Sequence, residues 1–357
     1  MSTDDSTDDS TAEASVLVST EGRVGRLTLN RPRALNALTH AMVLRIDEAL
    51  SAWERDPAVA AVVVTGAGER GLCAGGDIRA VHDDVRAGGG AASAAFWRDE
   101  YLLNARIARY PKPYVAVMDG IVMGGGVGVS AHGDVRVVTE RSRVAMPETG
   151  IGFVPDVGGT HLLARAPGEL GTHLALTGAE LGAADAVHCG LADHVVPSAA
   201  LPDLVRDLAH TSVEEAVGRH AGPPSGGRLA EERGWIDACY AADTVEEIVA
   251  RLLADGSHGA KEAAETLLSR SPTSLKVTLA ALRRARRLGA LEPVLEQEYR
   301  VSCACLTAPD LVEGIRAQVV DKDRRPHWRP AALEEVTEAD VARFFAPSPH
   351  GALGTGR

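Results

Sequence analysis

Tyr114-Val-Ala-Val-Met-Asp-Gly-Ile-Val-Met-Gly-Gly-Gly-Val-Gly128 is the stretch whose reading decides the fold. Tyr114–Met118 is an unbroken apolar run, short for a helix and suited to a strand buried on both faces. It leads into the glycine turn Gly124–Gly126, where a short helix is expected to open and run to about His132. A similar pattern stands upstream, where Ala61–Thr65 reads as a buried strand and the glycine-rich loop Gly66–Asp77 follows it. Downstream, Val135–Thr139 is again strand-like. Strands alternating with helices predict an α/β fold.

Towards the N-terminus, Ser15–Thr20 and Gly25–Asn30 are apolar, β-branched runs around Glu21–Gly22, the pattern of a hairpin. Thr39 is placed to cap a helix running to Arg55, with Met42, Ile46, Leu50 and Trp53 on one face. Phe96–Arg109 reads as helix. Beyond the decisive stretch, Gly158–Leu191 is mainly helical, His194–Val196 is a last short strand and Ala221–Gly227 is a loop. Leu229–Phe345 reads mostly as helix, through Val245–Leu253, Ala260–Leu268, Ser274–Arg287 and Leu291–Cys305. The expected organisation is a disordered acidic tail over residues 1–14, an α/β core over 15–205 and a mainly helical region over 206–357.

The 357 residues are 45% hydrophobic and 24% charged, enough to build a sizeable core, and only 4% are aromatic, so aliphatic side chains must fill it. A formal net charge of −12 with no basic stripe argues against nucleic acid as a partner. No run approaches the ~20 apolar residues of a membrane span. The five cysteines are scattered and form no C-x-x-C pair, which argues against a disulfide framework and a structural zinc site. The acidic, polar start matches neither a secretory signal nor a transit peptide, so the expected location is cytoplasmic.

Gly66-Ala-Gly-Glu-Arg-Gly71 fits G-x-G-x-x-G, but Leu72-Cys-Ala-Gly-Gly76 follows where a dinucleotide site needs a helix to open. It reads as a loop. The two glycine-rich turns can present backbone N–H groups without side-chain obstruction, and two converging amides stabilise an oxyanion forming on a carbonyl. On residues alone, two ordinary turns are the favoured reading, because such patterns are common.

Asn30-Arg-Pro-Arg-Ala-Leu-Asn-Ala-Leu38, Cys73-Ala-Gly-Gly-Asp-Ile78 and Ile121-Val-Met-Gly-Gly-Gly-Val-Gly128 together resemble the N-terminal signature and the two oxyanion loops of the crotonase (enoyl-CoA hydratase/isomerase) superfamily. The resemblance implies a spiral of repeated ββα units, an acyl-CoA thioester as substrate, and oxyanion amides from Gly76 and Gly125. Crotonase hydratases use two glutamates. The position matching the first is Gly128, which has no side chain, whereas the second is kept as Glu148 in Met146-Pro-Glu-Thr149. Asp156 follows in Phe153-Val-Pro-Asp-Val-Gly-Gly159. Read without the family, Glu148 is a solvated turn residue and Asp156 a helix cap.

Both segments are similar to the superfamily's 3-hydroxyisobutyryl-CoA hydrolase branch, and so are Trp97-Arg-Asp-Glu-Tyr-Leu-Leu-Asn104, Ser271-Pro-Thr-Ser-Leu-Lys-Val-Thr278 and Glu298-Tyr-Arg300. That branch implies hydrolysis of a 3-hydroxyacyl-CoA with Glu148 and Asp156 as catalytic pair, Asp156 both capping and catalysing. Glu100, Gly125, Glu148 and Asp156 would contact substrate, Glu100 receiving its hydroxyl. An enoyl-CoA isomerase or hydratase is the alternative. No cofactor is implied, because CoA is part of the substrate. No metal is implied either, since none of the twelve histidines forms a ligand motif and His132 and His161 read as structural. Arg33 is a candidate near the nucleotide end. Arg283, Arg284, Arg286 and Arg287 read as a solvated helix face, with CoA phosphates or a neighbouring subunit as alternatives. Related proteins form homo-oligomers through their helical C-terminal parts, whereas a longer tail such as this one has the length to fold back on its own core.

Overall fold

The computed structural model describes residues 14–355. The tail expected over 1–14 therefore lies outside the described residues, apart from Ala14. β1 (Val16–Glu21) and β2 (Val24–Leu29) form the expected hairpin, with Val16 opposite Leu29 and Glu21 opposite Val24. Helix α1 (His40–Arg55) begins where Thr39 Oγ1 accepts the Met42 amide, and it buries Met42, Ile46, Leu50 and Trp53.

Three strand–strand–helix units follow. The first is β3 (Ala61–Gly66) and β4 (Gly71–Cys73), then helices α2 (Ile78–Gly88) and α3 (Ala91–Ala108). The second is β5 (Tyr114–Met118), β6 (Ile121–Met123) and the single turn α4 (Gly125–Gly128). The third is β7 (Val135–Val138), β8 (Arg143–Ala145), a 3-10 turn over Glu148–Ile151, and α5 (Gly159–Ala164). The leading strands pair in parallel with β2 and with β9 (His194–Val195), giving a six-stranded sheet of order β1-β2-β3-β5-β7-β9. The trailing strands make a second, parallel sheet of order β4-β6-β8. This is the crotonase-like spiral of repeated ββα units.

The second sheet corrects the reading of Gly66–Asp77 as one loop. Its strands are three residues long, too short to show a two-residue period, and β4 itself begins with a glycine, Gly71. The G-x-G-x-x-G match is the crossing between the two sheets. α4 likewise stops at Gly128, four residues short of the expected end.

Side chains of the large sheet divide between two layers. Val62, Val64 and Ala116 join a core that runs from Val16 to Leu353. Val63, Val115, Val117 and Val137 face a smaller cluster under Leu204, Leu208, Ala216 and Val217. A sheet covered on both faces explains why β3 and β5 are unbroken apolar runs. The helices after residue 228, including Pro272–Leu288 and Leu291–Cys305, fold back into the larger core. Arg284 and Arg287 of the arginine run are exposed, as a solvated face requires, whereas Arg283 and Arg286 are half-buried. Arg283 and Arg286 both grip the Glu169 carboxylate at 2.7 Å, and Arg284 lies 3.8 Å over the Phe345 ring. Arg283 and Arg286 thus tie the tail to the helix Leu170–Thr177.

Candidate active site

The loop after β4 is held by strand-like bonds. Leu38 donates its N–H to Gly75 O and accepts from Asp77 N, each at 2.8 Å, and Gly76 lies between. Opposite it, Gly124 adopts φ 49 and ψ −120, a conformation that glycine alone takes readily. This turn makes Gly125 the first residue of α4. Among the described residues, neither the Gly76 nor the Gly125 amide donates a hydrogen bond. A Cβ built on Gly125 would stand 3.3 Å from Gly76 N, so the two loops are in direct contact.

Around this contact opens a cleft of about 690 Å³, and Gly76, Glu100, Gly125, Glu148 and Asp156 all line it. The structure thus brings these five candidate residues to one place. Trp97 and Phe153, stacked at 5.1 Å between ring centres, form part of its wall. Arg31 lines the cleft and pairs with Asp77 at 3.0 Å, whereas Arg33, the candidate from the sequence, is not among the lining residues. Arg270 also lines it, with Nη2 donating to Thr177 O at 2.8 Å.

The three acids come from three elements. Glu148 opens the 3-10 turn after β8 and is only 6% exposed, so the solvated-turn reading fails. Its Oε1 lies 2.9 Å from where a Gly124 Cβ would be, and its Oε2 has no partner. Glu100 projects from α3. It is 2% exposed, and its Oε1 is unpartnered beside Gly125. Asp156 is 5% exposed and accepts a 2.6 Å hydrogen bond from the Tyr101 hydroxyl. Burial pushes the Asp156 carboxyl up to about 7, opposed by the Tyr101 bond and its own backbone N–H. Glu100 and Glu148 are also raised well above the usual carboxylate range, by burial first and by the Asp156 charge second.

Asp156 does not cap a helix, contrary to expectation. α5 starts at Gly159, and Glu298, 140 residues beyond Gly158, takes the capping role. Its carboxylate accepts from Gly158 N at 2.6 Å, Thr160 N at 2.9 Å and Thr160 Oγ1 at 2.5 Å. Between Asp156 and Gly158, Val157 has φ 51, a strained setting for a β-branched residue. Its carbonyl accepts at 2.7 Å from His132 Nε2, which must carry the ring proton because a carbonyl can only accept, and burial lowers that ring to about 4, leaving it neutral. Cap and histidine together fix the turn that presents Asp156. Sequence reasoning missed Tyr101 and Asn104, although they lie one and four residues after Glu100, and four residues is one helical turn.

The residues from 24 to 345 match the model of the enoyl-CoA hydratase/isomerase family. A mitochondrial 3-hydroxyisobutyryl-CoA hydrolase of Danio rerio is 44% identical over 350 residues, covering 94% of this chain and 91% of that one. The chain belongs to the enoyl-CoA hydratase/isomerase family. Two solved members share the architecture closely. A carnitinyl-CoA dehydratase from Mycobacterium thermoresistibile is 57% identical with a TM-score of 0.92, covering 94% of this chain and 98% of that one. An enoyl-CoA hydratase from Rhodobacter sphaeroides 2.4.1 is 45% identical with a TM-score of 0.90, covering 95% and 99%. The names carried by these family members describe different reactions, so the side chains in the cleft must choose between them. Gly128 is the position that the resemblance matches to the first acid of the two-glutamate pattern. A Cβ there would stand 2.7 Å from Val157 Cβ and 2.9 Å from Asn104 Nδ2, leaving no room for a side chain.

Proposed function

We propose that this protein hydrolyses the thioester of a 3-hydroxyacyl-CoA, foremost 3-hydroxyisobutyryl-CoA, to the free acid and CoA, a step in valine breakdown. The observation that carries this reading is the pairing of two free glycine amides with three buried acids at a site where the hydratase's first glutamate has no space. The name of the 44% identical relative supports the same substrate.

In this reading the Gly76 and Gly125 amides hold the thioester oxygen as it gains charge, an arrangement in which each donor is worth ~10²–10³ in rate. Glu148 either attacks the carbonyl carbon to form a mixed anhydride, which water then hydrolyses to free both the acid and Glu148, or takes a proton from the water that attacks the carbonyl directly. The carbon–sulfur bond breaks, and Asp156, whose raised carboxyl carries a proton over part of the neutral range, protonates the departing sulfur. Glu100 receives the 3-hydroxyl. The chemistry needs no cofactor, since CoA arrives with the substrate. Five free, buried thiols support a reducing compartment, of which the cytoplasm is the one expected from the sequence, and cell fractionation checks it.

Release of CoA from 3-hydroxyisobutyryl-CoA, followed with a thiol reagent, tests the assignment. Glu148→Gln should lose activity by roughly 10²–10⁴ while melting as wild type does. Single turnovers repeated in heavy-oxygen water separate the two roles of Glu148, because only the anhydride route leaves label in its side chain. An isomerase would instead move the double bond of an unsaturated acyl-CoA, and a hydratase would add water to it.

A further inference from the structure

Tyr101 and Ser302 are fully buried or nearly so, and neither reaches the cleft. The Tyr101 hydroxyl donates to Asp156 Oδ2 at 2.6 Å, and Ser302 Oγ stands 2.7 Å from the same hydroxyl. Tyrosine has one hydroxyl proton. With that proton on the carboxylate, the proton between serine and tyrosine must come from Ser302, which fixes the direction of the chain as Ser302 to Tyr101 to Asp156. The Tyr101 ring is held edge-on to Tyr299 at 84° and 6.2 Å, so the hydroxyl is aimed by packing.

The groups around Asp156 make this donor important. Glu100 faces it from α3, Glu148 from the 3-10 turn, and Glu298 and Cys305 from the helix Leu291–Cys305. None of these is a cation, and among the described residues Asp156 takes part in no ion pair. Among the described residues Tyr101 is the one side chain that donates a hydrogen bond to the carboxylate. A hydrogen bond to an ionised oxygen is about twice as strong as a neutral one, and a donor that itself accepts a bond is strengthened further.

We propose that Tyr101 is a positioning residue, which with Ser302 forms a hydrogen-bond relay that orients Asp156 and stabilises its ionised form. Through this relay the helix Leu291–Cys305 acts on the reaction without touching substrate. The proposal rests on the hydrolase reading for the role of Asp156, but the relay itself is measurable without turnover.

The test compares wild type with Tyr101→Phe and Ser302→Ala. Two readouts are needed: the pH profile of kcat for CoA release, and the titration of carbon-13-labelled aspartate carboxyls, with Asp156 assigned by its absence in Asp156→Asn. Losing a donor to the carboxylate raises the pH at which it ionises. Tyr101→Phe should move both the Asp156 titration and its limb of the profile upward by about one pH unit. Ser302→Ala should move both the same way by less, and it decides the matter alone if Tyr101→Phe fails to fold. A merely structural tyrosine would lower the melting temperature and leave both pH readouts where they were, which would overturn the proposal. Wild type that releases no CoA would sink the hydrolase reading, and the carboxyl titration would then judge the relay by itself.

Discussion

At the scale of single residues the site is a conflict between acidity and burial. Glu100, Glu148 and Asp156 lie out of water with no basic partner, so folding pushes their ionisation upward, Asp156 from 3.8 to about 7. A folded state that holds protons more tightly than the unfolded chain gains stability at low pH. That gain is complete below the unfolded value and is lost as pH rises through the folded one. The melting temperature should therefore fall between pH 5 and pH 8, and Asp156→Asn should flatten the fall. A melting series in buffers of equal ionic strength measures both. Gly128 carries the second prediction at this scale. Gly128→Glu restores the acid of the hydratase pattern but drives it into Val157 and Asn104. The variant should be less stable by about 1–3 kcal/mol and should not hydrate an unsaturated acyl-CoA. A glycine in the sequence shows that a carboxyl is missing there, but not that the space is filled from α3.

At the scale of elements, legibility followed length and locality. The hairpin, α1, β3 and β5 could be read because each holds enough residues to show a period or a cap, as Thr39 does with Met42. β4, β6 and β8 hold three residues each and show neither. The cap of α5 was hidden for a different reason. Asp156 stands at the right place in sequence, yet Glu298 reaches Gly158 and Thr160 from another helix, a contact that only tertiary folding creates. Glu298-Tyr-Arg300 stood out only by resemblance. Glu298→Ala should strip three donors of their acceptor, destabilising the fold by about 1–3 kcal/mol. Because the same turn presents Asp156, kcat for CoA release should fall more than KM changes. Thermal melting and steady-state kinetics on one preparation separate the two effects.

At the scale of the whole molecule, the C-terminal helices complete the α/β part. They share its core, and Glu169 accepts two arginines from Pro272–Leu288. They supply the cap beside Asp156 and, through Ile315 and Arg270, part of the cleft wall. The architecture is common to proteins named for hydration, dehydration and hydrolysis, so fold alone does not fix the reaction. The choice lies in whether water ends on the carbonyl carbon or leaves the acyl chain. The direct measurement is product analysis of 3-hydroxyisobutyryl-CoA incubated with the enzyme in heavy-oxygen water. The account predicts free CoA and 3-hydroxyisobutyrate with heavy oxygen in its carboxylate. An intact thioester that has lost its hydroxyl and become unsaturated would contradict it.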